Sequence, residues 1–272
     1  MNRRLFNQQY TRLESLFTHT PYASPIKQDF PYDLDRADSL LSSQGWISEN
    51  GRRIHQQTKQ VLSVKILVNS IEFKQDLKKE FDVNAICIYN PLNKNEILNK
   101  SKKKSAKIFK SSKKLKILNI GRFTDQKDQL TLLRSLNNLK NDIEFEACIV
   151  GKGILKKKLQ RYIKNNKLQK FVKIIEYVDN PYPLMKQANL FVLSSKFEGL
   201  PNVLLESLVL KKFIISSNCR TGPKEILLSG KGGFLFNVGD YKMLEKKIKY
   251  FFLNKTKCQK MMMNSYKSLK RF

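Results

Sequence analysis

From about residue 61 onward the chain alternates short apolar runs with amphipathic stretches. ILVNS (66–70) predicts a strand closing on Ser70, an N-cap candidate for the helix IEFKQDLKKEF (71–81), and ICIYN (86–90) predicts the next strand. The alternation is sustained between 116 and 217. Its strands are KILNI (116–120), FEACIV (145–150), VKIIE (172–176), LFVLS (190–194) and FIISS (213–217). The intervening helices are QLTLLRSLNNL, ILKKKLQRYIKNN, a short one near PLMKQA, and VLLESLVL. Strands near five residues between amphipathic helices indicate βαβ units. Runs apolar at successive positions suit strands covered on both faces. The expected fold class is therefore α/β, a Rossmann-like doubly wound parallel sheet over 113–240. Two amphipathic, Lys-rich helices follow over 241–272, with Met243, Ile248 and Phe251 among their apolar positions.

Residues 61–96 read as a piece of another element group, and 97–116 as a Lys-rich linker. No apolar period persists over 1–60, so no fold is assigned to that segment, whose atypical composition suits a disordered stretch.

Composition changes this picture little. Hydrophobic residues make up 41% of the 272, enough to bury a core. No run approaches the roughly 18 apolar residues of a membrane-spanning helix, and the basic opening MNRRLFNQQY has no apolar stretch behind it, so a cytoplasmic chain is expected. Cys87, Cys148, Cys219 and Cys258 lie far apart with no C-x-x-C pair, which suits free thiols in a reducing compartment and no metal site.

The charge of +29 first suggests nucleic acid or an anionic membrane. Its distribution weakens the nucleic-acid reading. Residues 1–60 hold six Arg and two Lys against six acids, whereas the remainder holds 39 Lys and five Arg, a whole-sequence bias more than a binding surface. The densest run, Lys100 to Lys116, contains only Phe109 as an aromatic, too little for a base-stacking platform. It reads as a solvated linker with weak attraction to an anionic membrane surface.

In open sheets of this kind, ligands bind beyond the carboxyl ends of the strands. After KILNI comes Gly121-Arg122-Phe123-Thr124-Asp125-Gln126-Lys127, where a tight turn brings two cations onto one loop that could converge on a diphosphate. After FEACIV comes Gly151-Lys152-Gly153, a shape that equally serves phosphate approach or a turn. The full dinucleotide fingerprint is absent because Lys156 takes the third glycine's place. After LFVLS comes Ser194 to Glu206, in which Pro201 suits a helix start whose free amides can hold an anion. Glu198 precedes that turn and Glu206 interrupts the apolar run VLLESLVL, where burial without a partner would be costly. Two carboxylates so placed suit the hydroxyls of one elongated ligand.

Several motifs now occur in order: Gly-Arg-Phe-x-x-Gln-Lys, Val-Gly-x-Gly, Tyr177-Val178-Asp179-Asn180-Pro181-Tyr182, LFVLSSKFEGLPNVLLE with its E-x7-E spacing, and Thr221-Gly222-Pro223-Lys224-Glu225-Ile226. Together they resemble the donor-binding half of retaining family 4 glycosyltransferases of the GT-B architecture, of the bacterial polysaccharide or lipid-linked glycan type. The resemblance covers about residues 61–272.

It implies a nucleotide-sugar donor, a UDP-sugar by family habit, and transfer of a hexose or N-acetylhexosamine to a glycan or lipid-linked acceptor, with no metal and no further cofactor. By the same resemblance Gly121 shapes the loop, while Arg122 and Lys127 hold the donor diphosphate. Glu198 contacts sugar hydroxyls, and the segment Leu200, Pro201, Asn202 and Val203 meets sugar and phosphate through its amides. Glu206 binds the ribose, and Tyr177 and Val178 flank the base. Glu198, Arg122 and Lys127 are thus the implied catalytic set. Gly222 to Glu225 shape the cleft, with Glu225 alternatively a structural cap. Residues 61–96 become the remnant of an N-terminal domain that would normally supply the acceptor site and a histidine. Residues 1–60 do not resemble that domain, and neither His19 nor His55 sits in a family-like motif. The alternatives are a nucleotide-sugar-binding fragment that is inactive or partner-dependent, and a basic protein of nucleic-acid or membrane surfaces.

Overall fold

The computed structural model describes residues 34–49, 52–61 and 65–272. The chain divides into two compact units, one ending at Lys65 and the other spanning Ile66–Phe272. In the first, helix α1 (Leu34–Ser43) precedes an antiparallel hairpin of β1 (Trp46–Glu49) and β2 (Arg52–His55). The Trp46 ring meets His55 edge-on at 5.1 Å, and Arg53 pairs with Asp38. No element was expected before residue 61. Four-residue strands such as WISE and RRIH carry too few apolar positions to show a period. The rest of that segment, with His19, lies outside the described residues.

In the second unit, β3 (Ile66–Val68) and β4 (Ala85–Cys87) pair in parallel across α2 (Ile71–Phe81). Ser70 caps α2 as its sequence position implies, its Oγ accepting from Phe73 N at 3.1 Å. Helix α3 (Lys94–Lys100) follows, capped by Asn93. The Lys-rich stretch after it is not simply solvated. Lys102, Lys103, Lys104 and Lys107 are exposed, but Ile108 and Phe109 are buried. The amides of Lys110 and Ser111 both donate to the Glu146 carboxylate. Two apolar residues among lysines are too short a signal to reveal this anchoring.

The remaining elements alternate: β5 (Leu115–Ile120), α4 (Gln129–Leu139), β6 (Phe145–Val150), α5 (Lys156–Asn165), β7 (Val172–Ile175), α6 (Tyr182–Gln187), β8 (Leu190–Leu193), α7 (Asn202–Val209), β9 (Phe213–Ser217), α8 (Pro223–Ile226), β10 (Phe234–Phe236), α9 (Tyr241–Leu253) and α10 (Lys255–Ser268). The six strands β5 to β10 form one parallel sheet in the order β10-β9-β8-β5-β6-β7. Every residue of β8 and β9 is buried, as the continuous apolar runs require. Helix α4 turns Leu132, Leu133, Leu136 and Leu139 inward, an i, i+3, i+4 stripe onto the sheet.

Because the chain runs outward from β5 to β7 and then returns to lay β8 on the other side of β5, the loops after β5 and β8 diverge. They leave a crevice at the carboxyl end of the sheet. Strand β10 escaped the sequence reading because FLF is three residues long and follows Gly232-Gly233. It is held by its pairing with β9 and by Phe234 against Phe213 at 5.0 Å. The Phe272 ring packs on Tyr89, just after β4, at 4.6 Å. Among the described residues no helix is long and apolar enough to cross a membrane.

Candidate functional site

The crevice between the β5 and β8 loops gathers most of the residues that the motifs single out. The Lys127 stem folds over Gly121 at the end of β5, where an added Cβ would make only an ordinary contact with it at 3.5 Å. Lys127 Nζ then reaches Glu198 Oε1 at 2.6 Å, and Ser195 Oγ donates to the same oxygen at 2.5 Å. The Glu198 side chain is 7% exposed and that of Lys127 17%. A carboxylate so enclosed must be paired, and here one cation and one hydroxyl do it.

Gln126 ties the two loops together. Its Nε2 donates to Phe197 O at 3.0 Å, and its carbonyl accepts from Lys196 N at 2.7 Å. The Arg122 guanidinium leans on the Gln126 side chain at 3.4 Å, while Gln129 Nε2 holds the Arg122 carbonyl at 2.9 Å. Arg122 and Lys127 thus stand on one loop with fixed backbones at the mouth of the crevice.

The two glycines after β6 serve backbone packing. A Cβ on Gly151 would overlap the carbonyl oxygen of Gly121, and one on Gly153 would lie 2.5 Å from Phe123 O. Phe123 N donates to Lys152 O at 2.8 Å and Leu155 N to Phe123 O at 3.0 Å, so the β6 loop is laced to the β5 loop. Where the sequence suggests phosphate approach or a turn, close approach of two chain segments accounts for both glycines. Tyr177 follows β7 on the outer part of the same rim. It is 56% exposed, with Lys152 Nζ 4.9 Å above its ring, and Val178 beside it packs on the core. Neither residue is joined by a hydrogen bond to Arg122, Lys127 or Glu198.

Helix α7 begins at the crevice. Leu200 and Pro201 are buried, Asn202 is exposed and Val203 half-buried, and no side chain caps the first turn. Its leading amides therefore remain for a ligand. Glu206 lies in the second turn, half-buried. It lines a cavity of about 130 Å³ together with Leu92, Glu96, Tyr182, Asn202 and Leu205. Burial pushes the Glu206 carboxyl above the usual carboxylate range, and a hydrogen bond from Tyr182 Oη at 3.3 Å works in the opposite direction.

A second loop supports Glu198 from behind. Glu198 N donates to Arg220 O, and Thr221 returns both its amide and its hydroxyl to Glu198 O. This loop is clamped by the acidic face of α2. Arg220 pairs with Asp76 at 2.8 Å and with Glu80, and Gly222 N donates to Glu72 at 2.9 Å. Glu225 accepts from Ile71 N at 3.1 Å and from the Tyr89 hydroxyl. Of the two roles open to Glu225, the observed one is a cap, placed on the first turn of α2. His55 is occupied within its own hairpin, where its Nδ1 accepts from Thr58 N at 3.3 Å.

Ser195, Gln126 and Tyr182 were not singled out as site residues from sequence, although each lies inside a quoted motif. Hydroxyl and amide side chains give no periodic signal, and their partners are assigned only by the fold. The acids of α2 at 72, 76 and 80 do carry a helical i, i+4 spacing, but nothing in the sequence says which loop they meet.

The family model described as Glycosyl transferases group 1 matches residues 100–268. An uncharacterized glycosyltransferase of Methanocaldococcus jannaschii is 43% identical over 121 residues, covering 44% of this chain and 29% of the relative. The N-acetylgalactosamine-N,N'-diacetylbacillosaminyl-diphospho-undecaprenol 4-alpha-N-acetylgalactosaminyltransferase of Campylobacter jejuni is 30% identical over 176 residues, covering 64% of this chain and 46% of the relative. The chain thus spans less than half the length of these curated relatives. Among solved structures, a glycosyltransferase from Rickettsia africae superposes with a TM-score of 0.66 at 21% identity, over 76% of this chain and 58% of that one. HepE of Anabaena, solved with UDP and glucose, superposes at 0.65 and 17% identity, over 77% and 59%. At these identities the likeness shows the fold, the α/β architecture of GT-B glycosyltransferases.

Proposed function

The chain belongs to the group 1 glycosyl transferases, and from that premise we propose that it binds a nucleotide sugar in the crevice between the β5 and β8 loops. The donor is a UDP-sugar carrying a hexose or N-acetylhexosamine. The sugar passes to a glycan or lipid-linked acceptor with retained anomeric configuration, in the manner of family 4. The observation that carries this reading is the buried Lys127–Glu198 pair at the topological switch point, beside Arg122 and the uncapped start of α7.

In transfer, the bond between the anomeric carbon and the diphosphate oxygen breaks, and negative charge grows on the departing oxygen. Lys127 and Arg122, together with the first amides of α7, supply fixed positive charge at that place with little reorganisation. Glu198 exchanges its ion pair for hydroxyls of the sugar, which frees Lys127 for the diphosphate. Glu206 accepts hydrogen bonds from the ribose, and Tyr177 and Val178 flank the base. With two side-chain cations on one loop, no metal ion or further cofactor is required.

A second reading is favoured by the chain's span of less than half the curated relatives. In it the described residues bind a nucleotide sugar but are inactive alone or depend on a partner. Exposed lysines after α3 suit peripheral contact with an anionic membrane, at the inner face of which a lipid-linked acceptor would be met. Thermal-shift screening of the whole chain against UDP-, GDP- and ADP-sugars tests the proposal. Stabilisation by UDP-sugars supports it, stabilisation by GDP- or ADP-sugars alone overturns the donor assignment, and no shift with any of the three overturns the whole reading.

A further inference from the structure

The cavity at α7 has a composition that the diphosphate reading does not use. Its apolar walls are Leu92, Ile97 and Leu205, and its polar groups are Glu96, Tyr182, Asn202 and Glu206. At about 130 Å³ it holds several waters, or one small sugar ring. Two carboxylates in one small cavity repel phosphate and accept from hydroxyls, so the cavity selects the neutral, diol-bearing part of a nucleotide. The cations of the site, Arg122 and Lys127, lie on the β5 loop.

We infer that Tyr182 is a positioning residue for the ribose subsite. Its hydroxyl, donated to Glu206 Oε1, fixes that carboxylate at the cavity wall, and the α3 segment carrying Glu96 closes the subsite opposite. This rests on the donor-binding reading above and extends it to a group that reading does not assign.

The geometry gives Tyr182 one strong reason to be a tyrosine. Glu206 is the single acid in the apolar run of α7 and is driven toward its neutral form by burial. A neutral carboxyl would lose acceptor capacity toward a diol, and the Tyr182 hydrogen bond opposes that loss. In turn the tyrosine hydroxyl is pushed up to about 12, first by its own burial and then by the charges of Glu206 and Glu96, so it remains a donor at any working pH. The ionisable groups facing Glu206 are Tyr182 from α6 and Glu96 from α3, and Glu96 is itself paired with Lys100 at 2.5 Å.

The test is a calorimetric titration of the whole chain with whichever of UDP, GDP and ADP binds tightest, and with its 2′-deoxy analogue, between pH 5 and 8. Wild type should prefer the ribonucleotide. Tyr182→Phe keeps the ring and removes the hydroxyl. It should lose roughly tenfold in ribonucleotide affinity, lose much less for the deoxy analogue, and weaken at a higher pH than wild type on acidification. Glu206→Gln should abolish the preference and leave only the nucleotide's own phosphate titration. An unchanged pH profile and an unchanged ribose preference in Tyr182→Phe overturn this inference while leaving donor binding intact. Failure of wild type to bind any of the three nucleotides overturns the functional reading and the inference together.

Discussion

Lys127 Nζ lies 2.6 Å from Glu198 Oε1, and the two residues come from loops on opposite sides of the switch point of the sheet. Seventy-one residues of chain separate them, so the pair is a product of the fold. In the free protein each neutralises the other in a nearly closed setting. In the proposed function a bound donor would offer both a replacement, diphosphate for the lysine and hydroxyls for the glutamate.

Breaking the pair should therefore cost stability as well as binding. Lys127→Met leaves an enclosed carboxylate with only Ser195 beside it, and is expected to lower unfolding free energy by about 3 kcal/mol. Adding Glu198→Gln to that variant should recover a large part of the loss, because the uncompensated charge is then gone. Urea denaturation of the single and double variants checks this; equal stability of Lys127→Met and wild type would contradict it.

Gly151 and Gly230 both sit in chain turns, yet only one is enclosed. Alanine at Gly151 would overlap the Gly121 carbonyl oxygen, whereas at Gly230 nothing lies within 4 Å and only the left-handed backbone (φ +90) resists a side chain. Gly151→Ala is expected to lower Tm strongly and to weaken nucleotide binding with it, because the strain falls on the Gly121 loop. Gly230→Ala should cost about 1 kcal/mol and leave binding untouched. Calorimetry on both variants compares them.

The fold of residues 113–240 was legible because five strands and their helices each carry a full apolar run, and so was the crevice, since chain order alone places it after KILNI and LFVLS. What stayed hidden has physical reasons. Phe234–Phe236 is a strand because β9 pairs with it, and Phe109 is buried because Glu146 and Gln187 hold the backbone around it. Glu206 stands out as a charge in an apolar run, and Glu198 by its place before the α7 turn at the E-x7-E spacing. Ser195, Tyr182 and the α2 acids did not, because each acquires its role from a partner distant in sequence. Glu225 was ambiguous for the same reason, until its carboxylate was found on the first amide of α2.

The α2 clamp allows a contrast of magnitudes. Arg220 is well exposed with Asp76 and Glu80, so Arg220→Ala should change stability by less than about 1 kcal/mol and chiefly at low salt. Glu225→Ala removes a helix-start acceptor and strands the Tyr89 hydroxyl, and should cost more, about 1–2 kcal/mol at any ionic strength. Denaturation at two salt concentrations separates the pair; an Arg220 variant that proves the more damaging would contradict the assignment.

Lys212 offers a pH test. Burial first, then the charges of Lys186 and Lys116, push its ammonium down to about 8, and its Nζ donates to Lys186 O. Because the folded pKa lies below the unfolded one, the group destabilises the fold while charged in both states, below about pH 8. That penalty is relieved as pH rises toward the unfolded value. Lys212→Met is expected to be more stable than wild type at pH 7, by a margin that shrinks by pH 10. Thermal melts across that range would contradict this if the margin stayed constant or grew.

The central claim is that the crevice between the β5 and β8 loops is a nucleotide-sugar site. Isothermal titration of UDP into the whole chain, beside Arg122→Ala and Glu206→Ala, tests it most directly. Saturable binding by wild type that both substitutions weaken strongly is the predicted result. Unchanged UDP affinity in either variant would contradict the account.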